Sequence, residues 1–244
     1  MRRPYAACLA LACALVAAAP LGAQQSAPAD QQVKGRVEQR LTDRRVRGVT
    51  VAARDGSVTL AGPIASAGAK QDLIAEVLKV AGVKEIVSEL TIGRAENDRA
   101  LAERVAEQMR RSTYFTVFDD VEVGVENGVV TLTGFVTQPI KSDDLAKRAS
   151  HVEGTQDFVN RLEVLPVSLD DDRLRNVIAN TLYRDLAFST YAAQAVPPIH
   201  IIVRRSSVLL TGFVNSEVER RQAEIIVRGI PGIIGVQNAL RVDR

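Results

Sequence analysis

Two histidines and three runs of carboxylates are the residues of this sequence with the means to do chemistry. His151 and His200 could act as general bases or bind a metal, but each stands alone, with no H-x-x-x-H or H-E-x-x-H neighbour. His200 alternates with Ile199 and Ile201, which places it on the outward, water-facing side of a strand. His151 falls at the end of a helical stretch, where a histidine suits the negative end of the helix dipole. Asp119-Asp120, Asp143-Asp144 and Asp170-Asp171-Asp172 are the carboxylate runs, with weak calcium binding as their chemical option. The last two precede or open helices, where acids stabilise the first turn without any catalysis. No nucleophile elbow or phosphate loop is present. The expectation is a protein that is not an enzyme and carries no cofactor and no metal.

A second kind of chemistry, adhesion, is carried by aromatics. The chain has no Trp, and aromatics make up 4% of it, so the core must be aliphatic. Against that background Tyr114, Phe115 and Phe118 gather in one place, and Tyr183, Phe188 and Tyr191 in a second. Arg110, Arg111 and Arg184 stand close by. Tyr114, Phe115, Phe118, Phe188 and Tyr191 with these arginines make a candidate edge for lipid headgroups or a protein partner. The competing reading is that the rings plug the core where the chain passes from helix to strand.

The elements that must position these groups repeat. "GSVTLAGPI" at Gly56 to Ile64, "GVVTLTGFV" at Gly128 to Val136 and "SVLLTGFV" at Ser207 to Val214 are versions of one strand. With Gly62, Gly134 and Gly212 as anchors, a second glycine follows 20 residues later, at Gly82, Gly154 and Gly232. A leucine follows 8 residues after that, at Leu90, Leu162 and Leu240. The anchors lie 72 and then 78 residues apart, so insertions fall outside the shared frame.

Upstream of each anchor a helical stripe is expected: Val33, Val37 and Leu41, then Leu101, Val105 and Met109 with Asp98 as cap, then Leu174, Val177, Ile178 and Leu182. Asp55-Gly56 and Asn127-Gly128 mark hairpin turns, while Arg205-Ser206 lacks the glycine and predicts a looser turn. A second helix carries Leu73, Val77 and Val80, or Leu145, Ala149 and Val152, or Ala223, Val227 and Ile230, and the second glycine suits a left-handed cap beyond it. A third strand closes each unit, for instance Val236, Asn238, Leu240 and Val242. The fold class is therefore α+β: three tandem α-β-β-α-β modules, each a three-stranded mixed sheet with two helices on one face and the other face left to water or a partner.

Ahead of the modules, Arg2 and Arg3 precede an apolar run from Ala6 to Ala19 that ends in small residues, the pattern of a signal peptide over 1–23, cleaved after Ala23. Both cysteines, Cys8 and Cys13, lie within it in a context that does not suit lipidation. The polar stretch from Gln24 reads as a disordered linker over 24–30, followed by modules at 31–93, 94–166 and 167–244. Loss of Arg2 and Arg3 leaves 29 basic against 29 acidic residues. That balance disfavours nucleic acid as a partner. Gly229-Ile230-Pro231-Gly232 has the G-x-x-G spacing of an RNA-gripping loop, but it occurs once and has only Arg228 beside it.

The strand motifs, with the closing "PGIIGVQNALRV" at Pro231 to Val242, make the chain from residue 31 to 244 resemble three copies of the BON domain, named for osmotically inducible periplasmic and nodulation-associated proteins. The first copy departs from the pattern at Ala61, Pro63 and Ser88. The resemblance implies an envelope protein, often periplasmic, linked in some relatives to osmotic or envelope stress and in some to phospholipid. It transfers no catalytic residue. The expected partners are a phospholipid membrane surface or envelope proteins. The alternative function is a structural or assembly module that works through exposed sheet faces and edges.

Overall fold

In the computed structural model, which describes residues 28–94, 97–194 and 197–243, the same order of elements recurs three times. Module one runs α1 (Pro28–Asp43), β1 (Thr50–Arg54), β2 (Ser57–Ile64), α2 (Ala67–Leu78) and β3 (Glu85–Ile92). Module two runs α3 (Asp98–Arg110), β4 (Asp120–Glu126), β5 (Val129–Val136), α4 (Pro139–Ser150) and β6 (Asp157–Val164). Module three runs α5 (Leu169–Arg184), the short α6 (Ser189–Ala192), β7 (Ile199–Arg204), β8 (Ser207–Val214), α7 (Glu217–Arg228), β9 (Gly235–Asn238) and β10 (Arg241–Val242). The expected export segment, 1–23, lies outside the described residues. Of the expected linker, Pro28 to Asp30 are already helical. Proline is tolerated at a helix start because the N–H it lacks would have no partner there, and Asp30 adds an acid to the first turn.

The second strand is central in every sheet. β2 pairs antiparallel with β1 and parallel with β3, and β5 does the same with β4 and β6. β8 pairs antiparallel with β7 and parallel with β9 and β10. The helix between second and third strands carries the chain back, so that pair must be parallel. Both long helices of a module cover one sheet face and enclose an aliphatic core. Val37 and Val77 meet Val58 and Leu60 in module one, Leu101, Val105 and Leu145 meet Val130 and Leu132 in module two, and Ile178, Leu182 and Val227 meet Val208 and Leu210 in module three.

Several local expectations are corrected. Asn97, not Asp98, caps α3, its side chain accepting the N–H of Ala100 at 2.8 Å. Asp98 instead accepts the N–H groups of Asn127 and Gly128, at 2.7 and 2.9 Å, and so ties the helix to the hairpin turn. Asp171 does the same for Arg205 and Ser206, both at 2.9 Å. That carboxylate explains why the third turn is not loose: Arg205 and Ser206 hold φ of 49° and 59°, alongside 52° and 79° at Asn127 and Gly128. The inner face of α5 is Asp171, Arg175, Ile178 and Leu182, while Val177 points out. Arg175 is tolerated inside because its guanidinium donates to the Val203 carbonyl at 2.7 Å and to Asp172. The third strand of module three breaks between β9 and β10, where Asn238 Oδ1 accepts the N–H of Leu240. The second glycines lie four residues past the last residues of their helices, Leu78, Ser150 and Arg228. They therefore serve the turn into the third strand, with φ between 92° and 96°, and are not helix caps.

Candidate functional site

The outer faces of two of the sheets are not left to water. Modules two and three lie against each other, and the seam is built from the connection that follows α3. The amide of Ile201, in β7, donates to the carbonyl of Val117 at 2.7 Å. Phe118, from module two's connection, packs against the core of module three. Ile202 points away from its own helices yet is only 3% exposed. Phe135 and Leu165 from module two and Ile202 and Leu209 from module three line a cleft between the sheets. Arg204 pairs with Glu163 at 2.7 Å and Arg241 with Glu122 at 3.5 Å, reciprocal links between the first strand of one module and the third of the other. The side chains of the first pair are about half exposed and those of the second about two-thirds, so these pairs orient the modules more than they hold them.

His200 sits inside this seam, not on an open surface. Its ring lies 5.5 Å from that of Phe115, tilted by 50°. Nδ1 of His200 and Oγ1 of Thr211, its partner across the β7–β8 pair, are both buried with no hydrogen-bond partner in the protein. Burial pushes the His200 pKa below its ordinary 6.5, against the opposing pull of Asp120 and Asp119.

Behind the seam, Asp119 anchors the connection. It is fully buried and accepts from the amide and hydroxyl of Thr116, the amide and hydroxyl of Thr137, and Lys141 Nζ at 2.7 Å. A charge can be buried only when its lone pairs are met in this way. Module three solves the same corner differently. There the Tyr191 hydroxyl donates to Glu219 at 2.6 Å, and the amide of Asn215, three residues past the anchor glycine as Thr137 is, donates to both.

At the same corner of module one, the neighbour module takes part. The amide of Ala67 donates to the Thr155 carbonyl at 2.8 Å, and the amide of Gly154 to the Ala65 carbonyl at 2.9 Å. Gly68 allows this approach, since a Cβ there would lie 2.5 Å from His151 Nδ1 and 2.6 Å from Ser150 Oγ. His151 completes the junction through Asp72, 3.0 Å from its Nε2. Both histidines thus serve contacts between modules.

Two more carboxylates of the runs are held in the same way. Asp144 accepts from Ser112 at 2.6 Å and Arg148 at 2.7 Å, and Asp171 serves the turn described above. Among the described residues no group of three or more His, Cys, Asp or Glu side chains could hold a metal ion. No helix among them is long and apolar enough to cross a membrane.

Three stretches, 29–94, 97–166 and 170–244, each match the model of the BON domain. The chain belongs to the BON domain family. Osmotically-inducible protein Y of Escherichia coli is 27% identical over 125 residues, which is 50% of this chain and 61% of that protein. Two structures of CdsD, a structural protein of the type III secretion system of Chlamydia trachomatis, align over 86% and 87% of this chain and 96% and 94% of theirs. Both are 16% identical, with TM-scores of 0.24 and 0.25, too low to carry any argument.

The BON modules distribute the candidate aromatics unevenly. Phe188 is fully buried and Tyr191 5% exposed, both in the core of module three, where α6 folds them inward. Phe115 packs partly against the core of module two, and Phe118 against that of module three. Phe188 and Tyr191 are thus withdrawn into a core, while Phe115 and Phe118 are half-buried at the seam. Tyr114 remains at the surface, 46% exposed. Arg110 and Arg111 also stay outside, both bonded to Glu107, and their hydrogen bonds hold its carboxyl below the usual range. Arg184 is exposed at the end of α5.

A different surface stripe appears on α7. Val218 and Ile225 are 76% and 64% exposed, and Arg221 and Arg228 are exposed beside them at helical spacing. The signal was present in the sequence as apolar residues seven apart, on the side of the helix away from Ala223 and Val227.

Proposed function

We propose that this chain is an exported, non-enzymatic binding protein of the bacterial envelope, periplasmic after cleavage near Ala23, which acts under osmotic or envelope stress by engaging a phospholipid surface. The observation that carries the reading is the run of three BON modules, part of it shared with an osmotically inducible relative. The chain spans about 61% of that relative's length, so a shared role in stress belongs to the proposal. The α7 stripe supports the lipid part: two exposed aliphatic side chains flanked by arginines match the boundary between acyl chains and anionic headgroups. The test is flotation of the exported chain with vesicles containing phosphatidylglycerol or phosphatidylcholine alone. Recovery with the anionic vesicles, reduced in a Val218→Ser/Ile225→Ser variant that still folds, supports the reading. Absence of flotation with both vesicle types removes it.

A second reading, an assembly module, has one observation in its favour. Two of the three modules already associate through their sheet faces. It predicts oligomers that grow with protein concentration in the absence of lipid, measurable by sedimentation.

A further inference from the structure

The seam between modules two and three contains a titratable group in a place that favours its neutral form. His200 projects from β7 toward module two, with Phe115 against its ring and the Thr211 hydroxyl beside it. Its Nδ1 has no partner, and neither has Thr211 Oγ1. A neutral imidazole can leave one nitrogen as a bare acceptor at modest cost. An imidazolium has N–H groups on both nitrogens, and the one at Nδ1 would be a charged donor with no acceptor within hydrogen-bond distance.

The charged groups around it do not offset this. Asp119 also favours the protonated ring, but its oxygens are already taken up by Lys141 and four threonine donors. Asp120 favours the protonated ring, as does the backbone of Asp119 and Thr116. Glu122 and Glu163 on β4 and β6 are engaged by Arg241 and Arg204. Desolvation is nevertheless the largest influence, and the pKa falls.

We propose that the module two–module three seam is an acid-sensitive latch: it is closed while His200 is neutral and opens when the ring is protonated, uncovering the outer sheet faces that carry Phe135, Ile202 and Leu209. The sign follows from linkage. With a closed-state pKa below the ordinary 6.5, the open seam binds more protons, so closure is at full strength above about pH 6.5 and weakens as pH falls toward the lowered value. Each unit of lowering is a roughly tenfold loss of closed state once the ring is fully protonated. Carboxylates as a class titrate near pH 4, below this window. The other described histidine, His151, serves the module one–module two junction.

The amide of Ile201 reports the latch, because its hydrogen bond crosses the seam to Val117. Hydrogen exchange of the exported chain is measured at pH 7.5 and 5.0 and corrected for intrinsic rates, with the Leu132 amide as an internal control for module two. The expected result is a several-fold loss of protection at Ile201 in acid, none at Leu132, and no pH effect at Ile201 in His200→Gln. Unchanged protection at Ile201 in the natural chain, or an equal loss in His200→Gln, overturns the proposal. If His200→Gln does not fold, an NMR titration of His200 in the natural chain replaces it. A midpoint below 6.5 supports the latch, and one at or above 6.5 overturns it.

Discussion

Gly134→Ala tests the physical reason for the repeated strand motif. Gly134 sits opposite Val121 in the β4–β5 pair, with φ of 117°. A Cβ built there would lie 2.2 Å from the Asp120 carbonyl oxygen and 3.0 Å from its carbon. Those are backbone atoms, so no side chain can rotate away. The equivalent distances to backbone oxygen are 2.3 Å at Gly62 and 1.9 Å at Gly212. The same close approach therefore occurs in every module, which is why each strand copy contains the glycine.

To admit a methyl group, the end of β4 must move away. That forfeits one or two ladder hydrogen bonds at about 1 kcal/mol each and adds about 1–3 kcal/mol for holding alanine at positive φ. The expected loss is about 2–5 kcal/mol, confined to module two. Gly35→Ala is the matched control. Gly35 lies within α1 with nothing inside 4 Å of its added Cβ, so alanine should stabilise that helix by about 0.5–1 kcal/mol. Because three cores need not unfold together, the assay is native-state hydrogen exchange read separately from β5 and α1 amides. A Gly134→Ala loss below about 0.5 kcal/mol, or a destabilising Gly35→Ala, would refute the steric argument.

Two further changes probe the connections that replace the expected aromatic edge. Phe188→Ala should cost about 3–5 kcal/mol in module three, because the ring is fully buried and leaves a cavity; urea unfolding that shifts by less than 1 kcal/mol would place the ring at the surface. Asp119→Ala should cost a similar 3–5 kcal/mol, since it strands Lys141, whose side chain is 9% exposed, as an unpaired buried charge, whereas Asp119→Ala/Lys141→Met should recover part of the loss in the same unfolding measurement.

The module order was legible because it rests on short-range signals that agree with one another. Helical stripes such as Leu101, Val105 and Met109 and the strand residues Val130 and Leu132 all became core. What stayed hidden depends on partners distant in sequence. Asp171 reads as a helix-opening acid, yet its bonds go to amides 34 and 35 residues away. His200 obeys the alternation that places it on the outer face, but alternation cannot say that another sheet lies over that face. Phe188 and Tyr191 gave no local sign of direction, because the chain that turns them inward is an insertion outside the repeat.

The outer faces of the sheets also differ between modules. Ile202 and Leu209, with Phe135 and Leu165 opposite, form the apolar part of the seam. At the same distances from its own anchor glycine, module one has Ala52 and Thr59, and Pro63 and Gly93. Alanine and threonine present far less apolar area to a facing sheet, so module one gains little by pairing in this way. Its divergence from the other two copies is thus physically consistent: it meets module two through the backbone contacts at Ala65 and Ala67, and its sheet face is composed for water. Three copies of one fold need not make three copies of one surface. The glycine anchors preserve the module, while the side chains on the uncovered face decide which copies pair and which stays apart.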